Sequence, residues 1–257
     1  MCLVVFAVDP DPDTLLLLAG NRDEFHRRPT RELHWWDDRP QVLGGRDLQA
    51  GGSWLATGRD GRFATVTNSR DAEPPSETLR SRGLLVSDFL ASDEDASSFL
   101  DSLQPDQYAG FNLLVSDGQT VMYASNRDPA VRSLSSGIYA VSNAVLDTPW
   151  HKVRYAREAM TQLVNSGDTE PASLFEMLAS EERAPAEDVD TSRLPFELAH
   201  RITAPFIVDE NYGTRSSTVV RLRHNGDVEV VERRYRPYGG LSGESREAYR
   251  RSGIDVT

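Results

Sequence analysis

The sequence predicts an α+β fold in which two antiparallel sheets carry helices on both outer faces. Three observations predict it. Short apolar runs bounded by turns dominate the first 70 residues. Residues spaced to share a helical face then appear in two separate blocks, with strands between them. Strands return at the end of the chain, and Asp117-Gly118 and Asn225-Gly226 are hairpin signals, which favour antiparallel pairing over βαβ alternation.

The opening strands are Leu3–Val8, Thr14–Ala19, Ser53–Thr57 and Phe63–Thr67, separated by turn-rich pieces such as 9–13 and 58–61. A helix is predicted over Thr78–Ala91, where Leu79, Leu84, Leu85, Phe89 and Leu90 share a face, and a second over Asp93–Leu103. Gly110–Ser116 and Thr120–Ser125 flank the first hairpin signal, and Ile138–Ser142 is a further strand. Helices follow at Trp150–Val164, just after Pro149, and at Pro171–Leu178. The acidic, Pro-containing stretch Glu181–Leu194 reads as a surface loop. Strands resume at Ala204–Val208, Ser216–Arg223 and Val228–Arg234, and from about 236 the chain reads as a weakly packed polar tail. No linker or repeat divides the 257 residues, so a single domain is expected.

Composition narrows the function. Forty acidic against 28 basic residues give a formal net charge of -12, and Lys152 is the only lysine. Such a surface repels polyphosphates, so nucleic acid is not an expected partner. Excess carboxylate with almost no lysine is also the surface expected of a halophile, although an Arg-encoding GC-rich genome gives the same Lys-to-Arg bias. The longest apolar runs are strand-sized, far short of the roughly 20 residues of a membrane span. No basic region precedes Leu3, so a signal peptide is not expected and the cytoplasm is the expected compartment. The lone Cys2 excludes an internal disulfide and a multi-cysteine metal site. The five histidines are scattered, with no H-E-x-x-H or G-x-S-x-G motif, which argues against a metalloenzyme or a serine hydrolase.

Cys2 follows the initiator Met1 directly and is small enough to permit its removal. The mature chain would then begin with a residue carrying a thiol and a free α-amine, a nucleophile with its own base. Position alone does not separate this from an inert second residue. Four further features bear on it. Gly20-Asn21-Arg22-Asp23-Glu24 follows a strand, and there Asp23 can hold an α-ammonium, while Arg22 can favour a thiolate or bind an anionic substrate group. Asn68 and Asn143 each stand at a strand end, where an amide N–H suits an oxyanion and where Asn is equally common in turns. Tyr212–Thr218 reads as a polar turn feeding a strand, with Arg215 open to a substrate carboxylate or to solvent. Gly51-Gly52-Ser53-Trp54 reads as a structural turn.

Together with Gly110-Phe-Asn-Leu-Leu114, Ser142-Asn143 and Leu146-Asp-Thr-Pro-Trp150, these blocks run in order from residue 1 to about 220, and the sequence resembles the NRDE family, also called the transport-and-Golgi-organisation protein 2 family. That family is in turn similar to the Ntn hydrolases of the choloylglycine hydrolase and penicillin-acyltransferase type. The resemblance implies a four-layer αββα sandwich and an N-terminal Cys2 nucleophile. It further implies that Asp23 positions the amine, that Asn68 and Asn143 contribute to the oxyanion hole, and that Arg215 is the distal site arginine. Those hydrolases carry an Arg before their Asn-x-Asp turn, whereas here Ala19-Gly20 stand there and Arg22 lies between Asn21 and Asp23. His151 stands where the family often shows Pro. The implied reaction is cleavage of a non-peptide C–N amide or an acyl thioester, with a small-molecule acyl substrate and no metal or other cofactor. The alternative the resemblance leaves is a non-catalytic carrier of haem or of acyl-CoA or lipid species.

Overall fold

The computed structural model describes residues 2–69 and 78–252 and folds them into two antiparallel sheets. The first contains β1 (Cys2–Asp11), β2 (Thr14–Phe25), β10 (Gly137–Val141), β11 (Tyr212–Arg223), β12 (Asp227–Tyr235) and β13 (Leu241–Arg250), in the order β10-β1-β2-β11-β12-β13. The second contains β3 (Thr30–Trp35), β4 (Val42–Asp47), β5 (Leu55–Gly58), β6 (Phe63–Asn68), β7 (Phe111–Ser116), β8 (Val121–Ser125) and β9 (Asp128–Ser133), ordered as in the sequence.

Three apolar layers follow from the period-two alternation of side chains. Between the sheets, Phe6, Leu16 and Leu18 pack against Leu43, Phe63, Leu114 and Tyr123. The outer face of the second sheet, through Val66, Leu113 and Met122, meets α1 (Gly83–Phe89) and α2 (Ala96–Ser102). The opposite faces of β1 and β2, through Leu3, Val5 and Leu17, meet α3 (His151–Ser166) and α4 (Pro171–Leu178). This is the expected αββα sandwich. Strands covered on both faces read as unbroken apolar runs, which is why Leu3–Val8 and Leu15–Ala19 show no alternation. Both hairpin signals hold, with Gly118 at φ 83° and Gly226 at φ 89°, where only glycine sits without strain.

Several elements differ from the sequence reading. The second strand does not stop at Ala19 but continues through Asn21-Arg22-Asp23 to Phe25, because β1 and β11 pair with it on both sides. Gly20 there pairs with Val4, and an added Cβ would lie only 3.1 Å from the Leu3 carbonyl oxygen, so this glycine permits close packing and does not end a strand. Tyr212 likewise begins β11 and is not in a turn. Residues 204–208 form no strand, while β3, β4, β9 and the short helix α5 (Phe196–Arg201) went unpredicted. The supposed polar tail contains β13. Its side chains alternate between exposed and half-buried, with almost no apolar face, and charge fixes its register: Arg233 donates to Glu244 at 2.8 Å and Arg250 to Asp227 at 3.1 Å. Among the described residues no helix is long and apolar enough to cross a membrane.

Candidate active site

Cys2 opens β1 at the edge of the inter-sheet space and is partly exposed. Its register partner on β2 is Arg22. Directly opposed residues of an antiparallel pair project from the same face, so the displaced arginine still stands beside the thiol. Arg22 is only 5% exposed, and its guanidinium lies 4.3 Å from the Trp54 ring centroid. Burial lowers its pKa, while the nearby Glu24, Cys2 and Asp47 pull it back up. Met1, whose removal the sequence predicts, lies outside the described residues.

Asn21 and Asp23 point to the other face of the sheet, toward the helices. Asn21 donates to the carbonyls of Leu178 and Pro205, both at 2.9 Å, and accepts from Ser217 Oγ at 2.6 Å. It anchors the end of α4 and the segment before β11, a structural task. Asp23 is 3% exposed and accepts from Thr214 Oγ1 at 2.7 Å. Its other oxygen lies 4.0 Å from Lys152 Nζ on α3. Burial raises the Asp23 pKa, and the Lys152 charge opposes the rise. Sequence reasoning missed Lys152 as a site residue. Its signal was available: the only lysine of a chain with 28 basic residues stands one residue into a helix whose neighbours pack on β1.

Asn68 closes β6, and Asn143 follows β10 by two residues. The structure brings them together: Asn143 Nδ2 donates to the Asn68 carbonyl at 2.7 Å, leaving its second N–H for another acceptor. The Asn143 turn is tied to the nucleophile strand, since Ser142 Oγ donates to the Cys2 carbonyl at 2.7 Å. Behind it, Thr67 Oγ1 donates to the Ser142 carbonyl at 2.7 Å, Asn112 Nδ2 donates to the Ala144 carbonyl at 2.9 Å, and Tyr123 donates to Asn112 Oδ1 at 2.7 Å. A satisfied buried network of this kind fixes the position of the turn. Asn112, within the Gly110–Leu114 block, was likewise not foreseen as a support.

Cys2, Arg22, Asp23, Trp54, Asn68 and Arg82 border one cavity of ≈520 Å³. Asn143 does not border it and is linked to it through its bond to the Asn68 carbonyl. Arg215 does not border it. It sits at an irregularity of β11, donates to the carbonyls of Phe25 and Arg28 at 2.9 and 3.0 Å, and faces a separate cavity. Another cavity of ≈330 Å³, walled by Trp150, Arg154 and Arg193, holds none of the sequence-predicted site residues.

A further titratable group lies near Arg22. Glu232 on β12 is 2% exposed and accepts from the Leu33 N–H at 2.9 Å, joining the two sheets. Burial pushes its pKa up to about 7, against the pull of Leu33 N–H, Arg234 and Arg22. A carboxyl raised on folding stabilises the protein below its unfolded pKa and loses that contribution as pH rises through the folded value. Between pH 5 and pH 8 the parent therefore loses about 2–3 kcal/mol that Glu232→Gln does not lose. Denaturant melts at the two pH values measure the difference.

Among known proteins, the chain is 33% identical over 257 residues to the mouse Transport and Golgi organization 2 homolog, covering 91% of this chain and 92% of that protein. It is also 33% identical over 258 residues to the human homolog, with the same coverage. Its fold is similar to a solved structure of the mutant C2A conjugated bile acid hydrolase from Clostridium perfringens, at a TM-score of 0.54 and 9% identity with both chains fully covered. Residues 1–237 match the family model described as Transport and Golgi organisation 2, and the chain belongs to that family.

Proposed function

We propose that the protein is an N-terminal-cysteine hydrolase acting on a non-peptide C–N amide or an acyl thioester. The observation that carries this reading is the position of Cys2, a lone thiol at the head of β1, opening on a polar cavity beside a buried arginine and a paired-asparagine turn. The similarity in fold to a conjugated bile acid hydrolase supports a hydrolytic scaffold.

After loss of Met1, the α-amine of Cys2 takes the thiol proton and Asp23 holds the resulting ammonium. The thiolate adds to the substrate carbonyl carbon. Asn68 Nδ2 and the remaining N–H of Asn143 stabilise the oxyanion. Collapse of the adduct breaks the C–N or C–S bond, and the leaving group departs with the ammonium proton. Water, deprotonated by the same amine, then releases the acid and restores the thiol. Arg22 binds an anionic part of the substrate, and Arg215 supports it from the adjoining cavity.

Intact-mass spectrometry with and without a thiol alkylator tests the premise. The expected result is a chain lacking Met1 that gains a single adduct near pH 8. A retained Met1, or a Cys2 inert to alkylation, overturns the reading.

A further inference from the structure

Behind Arg22, on the inter-sheet face, lies a cavity of ≈250 Å³ that shares Arg22 and Trp54 with the Cys2 cavity. The strand register explains its position. Cys2 opposes Arg22, Arg22 opposes Ser216, and Ser216 opposes Arg234. Four side chains thus form a row across β1, β2, β11 and β12, about 4.8 Å apart. Ser216 stands two spacings, roughly 10 Å, from Cys2.

Two buried polar atoms meet here. Arg22 and Ser216 are 5% and 4% exposed, and neither Arg22 Nη1 nor Ser216 Oγ has a hydrogen-bond partner among the described residues. Buried donors of this kind are normally satisfied. The remaining charges facing the cavity are Glu32 of β3, Arg215 of β11, and Glu232 and Arg234 of β12. Arg234 Nε is 3.3 Å from Glu32 and its Nη1 3.8 Å from Glu232. Three arginines against two glutamates leave one net positive charge, or two when Glu232 is neutral. The cavity therefore favours an anion in either state of Glu232, and its two open donors match the two oxygens of a carboxylate.

We propose that this cavity binds a small carboxylate whose oxygens accept from Arg22 Nη1 and Ser216 Oγ. The carboxylate is either a free ligand or the tail of an acyl substrate whose carbonyl reaches Cys2. The second case rests on the hydrolase reading, and binding itself does not. Ionised Glu232 repels the ligand, so binding weakens as pH rises past neutrality.

Saturation-transfer NMR with acetate at constant ionic strength tests the site. Acetate is expected to bind saturably at pH 6 and roughly tenfold more weakly at pH 8. Glu232→Gln removes the pH dependence. Ser216→Ala, which deletes an unpartnered hydroxyl and so leaves folding intact, weakens binding about tenfold or more, as loss of a hydrogen bond to a charged group requires. Absence of saturable acetate binding at pH 6, or equal binding to the Ser216→Ala variant, overturns the proposal. A second arm uses adipamate, which carries a carboxylate and an amide on one chain. Protection of Cys2 from iodoacetamide by adipamate but not acetate assigns the carboxylate to a substrate tail, and binding without protection assigns a free ligand. Neither readout needs turnover, so the site can fail while Cys2-dependent hydrolysis stands, and the reverse.

Discussion

Cys2→Ala lowers turnover of acyl amides and thioesters by about 10³-fold or more, the scale of loss when a nucleophile is removed. Its stability stays within about 0.5 kcal/mol of the parent, because the thiol is only partly buried at a strand start. A panel of such substrates, measured beside denaturant melts, gives both quantities. Full activity in the variant sinks the hydrolase reading. The two oxyanion asparagines then behave differently from one another. Asn68→Ala costs about 10²–10³ in kcat at unchanged stability, since the Asn68 side chain is exposed and its carbonyl, not its amide, holds Asn143. Asn143→Ala costs activity and stability together, because it also breaks the 2.7 Å bond that closes the turn. A common loss of stability in both variants contradicts these roles.

The legible parts of the fold were those where local chemistry and tertiary position agree. The apolar runs of β1 and β2, the helix faces of α1, α3 and α4, and the two glycine turns carry their structure in their own spacing. What escaped was set by partners distant in sequence. β2 continues through Asn21-Arg22-Asp23 because Cys2, Ser217 and Thr214 satisfy it from neighbouring strands, which no local pattern announces. β13 has no apolar face and is fixed by charges on β12, so its composition resembled a tail. In the candidate site, Cys2, Arg22, Asp23 and Asn68 were legible as types and do share a cavity. Arg215 was legible only as a type, and an irregularity in β11 turns it toward a different space. Lys152 was hidden because its partner, Asp23, is 129 residues earlier and reaches it through the far face of the sheet.

That partnership gives the second large effect. Lys152→Met removes the cation 4.0 Å from the buried Asp23 carboxylate and destabilises the protein by about 3–5 kcal/mol at pH 8, the usual cost of breaking a buried pair from one side. The pH dependence identifies the cause. Burial already raises the Asp23 pKa, and Lys152 opposes that rise, so removing Lys152 raises it further. A raised carboxyl stabilises below its unfolded value of about 4 and loses that contribution as pH climbs through the folded value. The deficit of Lys152→Met is therefore small at pH 4 and grows toward pH 8. A mere packing defect would be constant across that range. Asp23→Asn in the same chain recovers part of the loss, and the double variant is more stable than the sum of the single effects by about 2 kcal/mol. Melts of the four proteins at pH 4, 6 and 8 decide it, a flat deficit or strict additivity counting against the pair. On the proposed mechanism activity falls in step, since a protonated Asp23 no longer holds the Cys2 ammonium, and the nucleophile loses the group that orients its base.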